Sequence, residues 1–309
     1  MSRPPVQRRA LHGVLLLDKP LGLSSNAALQ QAKRLFGAEK AGHTGTLDPL
    51  ASGLLPVCFG AATKFSQASL DADKRYVATL RLGVTTTTGD AEGEVLRDSA
   101  VRVDQPALDN AIKRLVGTIE QTPPMHSALK RDGRALYEYA RAGQHVEREP
   151  RRVTIHRLDV LHWHIETLVI DVTCSKGTYV RTLAEDLGDA LGCGAHLSAL
   201  RRTGAGRLRV EQALTLDALA AMSETDRDAR LLAADALLAG MPEVRLDENE
   251  AGRFLPGLRR RVALSDADAV RVYGPQLRAF LGSAHITAGE LIADRLLSPT
   301  EVQALIAAS

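Results

Sequence analysis

Residues 42–53 read Gly42-His43-Thr44-Gly45-Thr46-Leu47-Asp48-Pro49-Leu50-Ala51-Ser52-Gly53, one carboxylate set among three glycines. No Lys follows the second glycine, so the spacing of a phosphate-cradling P-loop is absent. Two readings of Asp48 are open. Asp before Pro suits a helix start, with Asp as cap and Pro at the first helical position. Alternatively the glycines let a ligand approach closely and Asp48 presents its charge to it. His43 is open in the same way, as an exposed loop residue or a ligand contact.

Upstream, Gly13 to Leu17 is a short apolar strand ending in the Asp18-Lys19-Pro20 turn, and Ser24, Ser25 and Asn26 can cap a helix with apolar residues at 28, 29, 32, 35 and 36. Downstream, Leu54 to Phe59 predicts a strand. Arg75 to Leu82 alternates, with Tyr76, Ala78, Leu80 and Leu82 on one face. Residues 85–94 read as a polar loop. Leu108, Ile112 and Leu115 mark a helix, and a basic stretch from Met125 to Arg152 includes another around Tyr137 and Tyr139. Strands near Val153–His164 and Leu168–Cys174 lead to Ser175-Lys176-Gly177-Thr178-Tyr179-Val180-Arg181, a strand-to-helix junction. That junction could bind an anion, or Thr178 could simply cap the helix while Arg181 pairs with Glu185. The segment His196–Gly204 is basic and strand-like, a solvated face on its own terms. The irregular order of strands and helices predicts an α+β fold.

Residues 211–240 are rich in Ala and Leu and read as helical. Beyond Pro242 come short glycine-punctuated segments, predicting a small β domain over 241–309 behind a main domain over 1–240, with a terminal helix from Thr300. Charge divides similarly. Residues 1–210 carry 29 Lys and Arg against 22 Asp and Glu, and residues 211–309 carry 10 against 15. A basic body suggests a polyanionic partner. Cys58, Cys174 and Cys193 lack ligand spacing and read as buried hydrophobes. His162 and His164 flank Trp163 without a third ligand, which disfavours a metal site. Nothing approaches the roughly 20 apolar residues of a membrane span. The N-terminus, with Arg3, Arg8 and Arg9, lacks an export signal, so a cytoplasmic setting is expected.

Taken together, Asp18-Lys19-Pro20 with Gly22-Leu23-Ser24-Ser25, then GHTGTLDPLASGLLPV, KRYVATLRLG, SKGTYVRTLAEDLG and HLSALRRTGAG strongly resemble the TruB tRNA pseudouridine synthases, over about Gly13 to Gly206. The resemblance implies a pseudouridine-synthase fold, a mainly antiparallel mixed sheet flanked by helices. It implies isomerisation of the T-loop uridine at position 55 of tRNA by base flipping, with no cofactor, metal or nucleotide. It makes Asp48 the catalytic carboxylate, Arg181 its ionic partner, Tyr76 the ring that stacks on the target uracil and Tyr179 a second contact. Leu200 would line the base pocket, His43 would displace the T-loop pairing, and Lys19 joins the substrate-binding set. The region 125–152 would be an inserted thumb. Phe280-Leu281-Gly282, Gly289 and Arg295-Leu296-Leu297 resemble the end of a PUA RNA-binding domain. A monomer binding the T stem-loop is the expected state. A non-catalytic RNA-binding protein on the same scaffold would not need the set Asp48, Tyr76, Tyr179 and Arg181.

Overall fold

The computed structural model describes residues 8–307 apart from 128, 145, 277 and 278; Arg3 of the basic N-terminal run lies outside them. One large sheet organises the first part. Its principal strands are β1 (Gly13–Lys19), β2 (Ala51–Phe59), β3 (Lys74–Leu82), β4 (Gly117–Gln121), β5 (Arg151–His164), β6 (Thr167–Cys174) and β7 (Ala195–Ala205). They lie in the order β1-β2-β7-β3-β6-β5-β4, and two short strands, Ala41–His43 and Leu208–Arg209, attach to β2 and β7. All of these pairs are antiparallel except β2 with β7.

That parallel pairing rests on Gly53. Its φ is +100°, and a Cβ there would sit 2.3 Å from the backbone oxygen of Arg202, so only glycine lets the two strands close. Period-2 alternation then sorts the side chains. In β1, Leu15 and Leu17 join one core cluster and Val14 and Leu16 another, which gives a strand buried on both faces.

Helix α1 (Ser25–Leu35) starts where Ser24 accepts a hydrogen bond from the Ala27 amide, and it buries Ala28, Leu29 and Ala32 against Leu15, Leu55 and Phe59. Helix α2 (Gln105–Leu115) is capped by Asp104 and buries Leu108 and Ala111. Helix α3 (Val180–Ala190) buries Val180, Arg181, Leu183, Ala184 and Leu187; its apolar side chains share one core with Ala78, Leu80, Ile170 and Val172. The buried stripe thus includes a charged residue in the first helical turn. The cysteines are buried and free, and burial pushes the Cys174 thiol up to about 11.

Two segments differ from their sequence reading. Stretch 211–240 is broken into Leu216–Ala221, Glu224–Asp228 and a 3-10 turn, Ala236–Leu238. Ser223 caps a new helix, and the chain bonds along the β1 edge through Asp18 N to Leu214 O and Val14 N to Leu232 O. Covering that edge takes precedence over helix propensity. The loop 85–94 begins as a strand: Val84–Thr86 pairs with Val95–Asp98, and the turn between them buries Asp90.

The C-terminal part is a five-stranded sheet of β8 (Glu243–Arg245), β9 (Arg260–Arg261), β10 (Ala267–Tyr273), β11 (Phe280–Thr287) and β12 (Glu290–Leu296), with a last helix, Pro299–Ala307. Its core does not stop at its own residues. Ala61, Phe65 and Leu238 join the same cluster, the Phe65 and Phe280 ring centroids are 5.0 Å apart, and Lys64 Nζ lies 2.6 Å from Glu301 Oε2.

Candidate active site

The loop between Ala41–His43 and β2 carries Asp48, and it is pinned from two sides. Ser25, at the start of α1, accepts a hydrogen bond from the Leu47 amide at 2.7 Å and donates one to the Leu47 carbonyl at 2.9 Å. From below, Arg202 Nη2 donates to the Gly45 carbonyl at 3.1 Å. Gly45 has φ +80°, and a Cβ there would crowd that guanidinium at 3.2 Å. No helix follows Pro49. Residues 49–50 form a turn closed by Ala51 N to Asp48 O, so the helix-cap reading of Asp48-Pro49 does not hold.

Arg181 enters from the first turn of α3. Its Nη2 stands 2.9 Å from Asp48 Oδ2 and its Nη1 3.3 Å from Asp90 Oδ2. The Arg181 and Asp90 side chains are 8% and 4% exposed, whereas that of Asp48 is 48% exposed. A buried cation therefore holds a reachable carboxylate. Arg181 Nη2 also donates to the His126 carbonyl at 2.6 Å, tying the start of the basic 125–152 stretch to the site. Asp90 is fixed in turn by the Thr88 hydroxyl at 2.6 Å and the Glu92 amide at 3.1 Å. Thr178 does not cap α3. Tyr179 holds the cap position, and the Thr178 hydroxyl donates back to Ser175 O.

Asp48, Tyr76, Tyr179, Arg181 and Leu200 line one cavity of about 420 Å³, the size of a small-ligand site. Tyr76 comes from β3 and Leu200 from β7. Tyr179 is clamped by Gln121, whose Oε1 accepts from its amide at 3.0 Å, and Arg151 lies 4.8 Å from its ring centroid. Burial pushes the Tyr76 phenol up, and the charge of Arg202 opposes that push. His43 lines the adjoining cleft with Asp48, His126 and Arg181. Its Nδ1 is buried without a partner, and burial and Arg202 lower its pKa, favouring the neutral ring.

Lys19 lies outside the cavity wall. It is fully buried, and its Nζ donates to the carbonyls of Pro20 and Leu23 at 3.0 and 2.6 Å, bracing the turn beside Asp48. Sequence reading missed Asp90, lost in a polar loop, and Arg202, taken for a solvated face. The alternation of β7 was the available signal for Arg202, since adjacent residues of a strand point to opposite faces.

Three family profiles match in succession: TruB family pseudouridylate synthase (N-terminal domain) over residues 33–180, tRNA pseudouridylate synthase B C-terminal domain over 181–241, and Pseudouridine synthase II TruB, C-terminal, over 242–297. The chain is 60% identical to a tRNA pseudouridine synthase B of Burkholderia mallei (strain ATCC 23344), over 96% of this chain and 97% of that one. It is 58% identical to the protein of the same name from Verminephrobacter eiseniae (strain EF01-2), over 99% and 95%. Among solved structures, a chain of an H/ACA ribonucleoprotein bound to a substrate RNA containing 2′-deoxyuridine superimposes with a TM-score of 0.71. It shares 24% identity over 94% of this chain and 86% of that one, a likeness of fold.

Proposed function

Because the chain belongs to the TruB family of pseudouridylate synthases, we propose that Asp48 is its catalytic carboxylate and that the T-loop uridine at position 55 of tRNA is its target. The reaction itself is the isomerisation of uridine to pseudouridine in tRNA. It breaks the N1–C1′ bond, turns the uracil, joins C5 to C1′ and removes the C5 proton.

The observation that carries the assignment is the Arg181 bridge. A carboxylate that must act while ionised sits half exposed at the cavity, with a buried guanidinium 2.9 Å away to fix its orientation. Asp48 acts at the ribose, by attack on C1′ or by removal of a sugar proton. Tyr76, on the cavity wall, stacks on the uracil and takes the C5 proton. Extruding the base from a folded loop costs a few kcal/mol, and stacking on an aromatic ring returns about 1–3 kcal/mol. His43, in the adjoining cleft, occupies the space the base leaves.

The 125–152 insertion closes on the T arm. The sheet over 241–309 is an RNA-binding domain, and the chain works in the cytoplasm as a monomer. Phosphate contacts by the basic body supply most of the affinity, which therefore falls steeply with salt.

The test is tritium release from an unmodified T-arm RNA labelled at uridine C5. Wild type releases tritium, and Asp48→Asn releases none while binding RNA within a few-fold of wild type. Turnover by Asp48→Asn, or loss of turnover and binding together, would remove Asp48 from its role.

A further inference from the structure

Among the described residues, Arg202 is the largest fully buried side chain, at 1% exposed. Its Nε donates to the Leu54 carbonyl at 2.6 Å and its Nη2 to the Gly45 carbonyl at 3.1 Å. Among the described residues no carboxylate lies within ion-pair distance of it. A buried charge without a counter-charge is expensive, and a neutral donor could satisfy two carbonyls at lower desolvation cost. The charge itself therefore needs an explanation.

The sheet register supplies one. Arg202 on β7 lies directly opposite Tyr76 on β3, and both side chains line the cavity. We propose that Arg202 is a positioning residue for Tyr76, whose charge supports the phenolate that takes the C5 proton. This rests on the reading of Tyr76 as the base. Asp48 and Cys174 raise the pKa of the Tyr76 phenol, as burial does, and Arg202 is the cation that opposes them. Tyr179 instead has its cation, Arg151, over the ring face.

In the step, the Tyr76 phenolate binds the C5 proton and becomes a phenol. The C5–H electron pair forms C5=C6, and the C6=N1 pair returns to N1, which takes a proton from solvent. The phenol then releases its proton to solvent.

The test is single-turnover conversion of T-arm RNA carrying protium or deuterium at uridine C5, from pH 6 to 9, with RNA affinity and melting temperature measured alongside. Arg202→Gln keeps hydrogen-bond donors and drops the charge. An opposite charge at this range moves a pKa by about 1–3, so the variant slows about 10-fold or more. It also shows a larger C5 isotope effect than wild type and recovers rate as pH rises. Arg202→Lys, which keeps the charge, restores most of the rate. Wild-type behaviour of Arg202→Gln overturns the proposal, as does equal slowing of both variants with no added isotope effect. Misfolding of Arg202→Gln beside a folded, fully slowed Arg202→Lys overturns it too. Tyr76→Phe separates the two layers. If it turns over at the wild-type rate, the reading of Tyr76 as base fails. If it is slow while Arg202→Gln is normal, only the role of Arg202 fails.

Discussion

Replacing Arg181 by Met should separate stability from chemistry, because its two carboxylate partners lie in different surroundings. Asp90 is 4% exposed and would be left as a buried charge without its cation. Stranding such a partner costs about 3–5 kcal/mol. The lower end applies here, since the Thr88 hydroxyl and the Glu92 amide remain on Asp90. Asp48, half exposed, contributes at most about 1 kcal/mol to stability through the same guanidinium. At about 2–4 °C per kcal/mol for a body of this size, a loss near 3 kcal/mol lowers the melting temperature by about 6–12 °C. Turnover suffers through the other partner. Loss of a preorganised charge beside the reacting groups costs about 10²–10³-fold. RNA affinity should stay within a few-fold, because the Arg181 side chain is 8% exposed and its guanidinium is engaged by Asp48 and Asp90. The assays are a thermal melt, C5-tritium release and filter binding on the single variants and on Arg181→Met with Asp90→Asn. The double variant should regain part of the lost stability and none of the turnover. Strictly additive melting shifts would refute the buried-pair reasoning, and wild-type turnover by Arg181→Met would refute the orienting role.

Gly53→Ala should destabilise the chain by at least about 2 kcal/mol, seen as a lower melting temperature or loss of soluble protein, because φ is +100° and the Arg202 backbone is in the way. An unchanged melt would show that the β2–β7 contact can relax. Burial lowers the pKa of Lys19 from 10.5 to about 8. Between those values the unfolded chain holds a proton that the folded chain has released, so stability rises with pH there. Relative to Lys19→Met, wild type should gain stability from about pH 8 towards 10.5. A difference in unfolding free energy that stays flat over that window would contradict this.

The sequence carried the fold wherever a single face was buried. The alternation in Arg75–Leu82 and the stripes of α1 and α2 each describe one side against water, and the corresponding elements are present. The pairing of Asp48 with Arg181 was legible only through the family resemblance, since 133 positions separate the two residues along the chain. Local rules pointed elsewhere, to a cap at Asp48 and an Arg181–Glu185 pair. The burial of Arg202 and of Lys19 was not legible because burial of a cation depends on carbonyls supplied by distant or folded-back backbone, Leu54 and Gly45 in one case, Pro20 and Leu23 in the other. Asp90 was hidden because Thr85–Glu94 carries no large apolar residue, and its burial comes with backbone bonding of the turn to Leu197 and the ion pair to Arg181. Composition favoured helix over 211–240, but hydrogen bonding to the open edge of β1 prevailed.

The aromatic contact between Phe65 and Phe280 decides how the two sheets are spaced. Separate lobes on a loose tether ordinarily swivel, and a bound ligand then sets the spacing between them. Here residues from both sides of the chain pack in one apolar cluster, backed by the Lys64–Glu301 ion pair. The gap between the cavity and the C-terminal sheet is therefore fixed at folding, like the jaws of a locked caliper. On the reading of that sheet as an RNA-binding domain, an RNA that reaches both jaws has to span a distance set by the protein and not by the ligand.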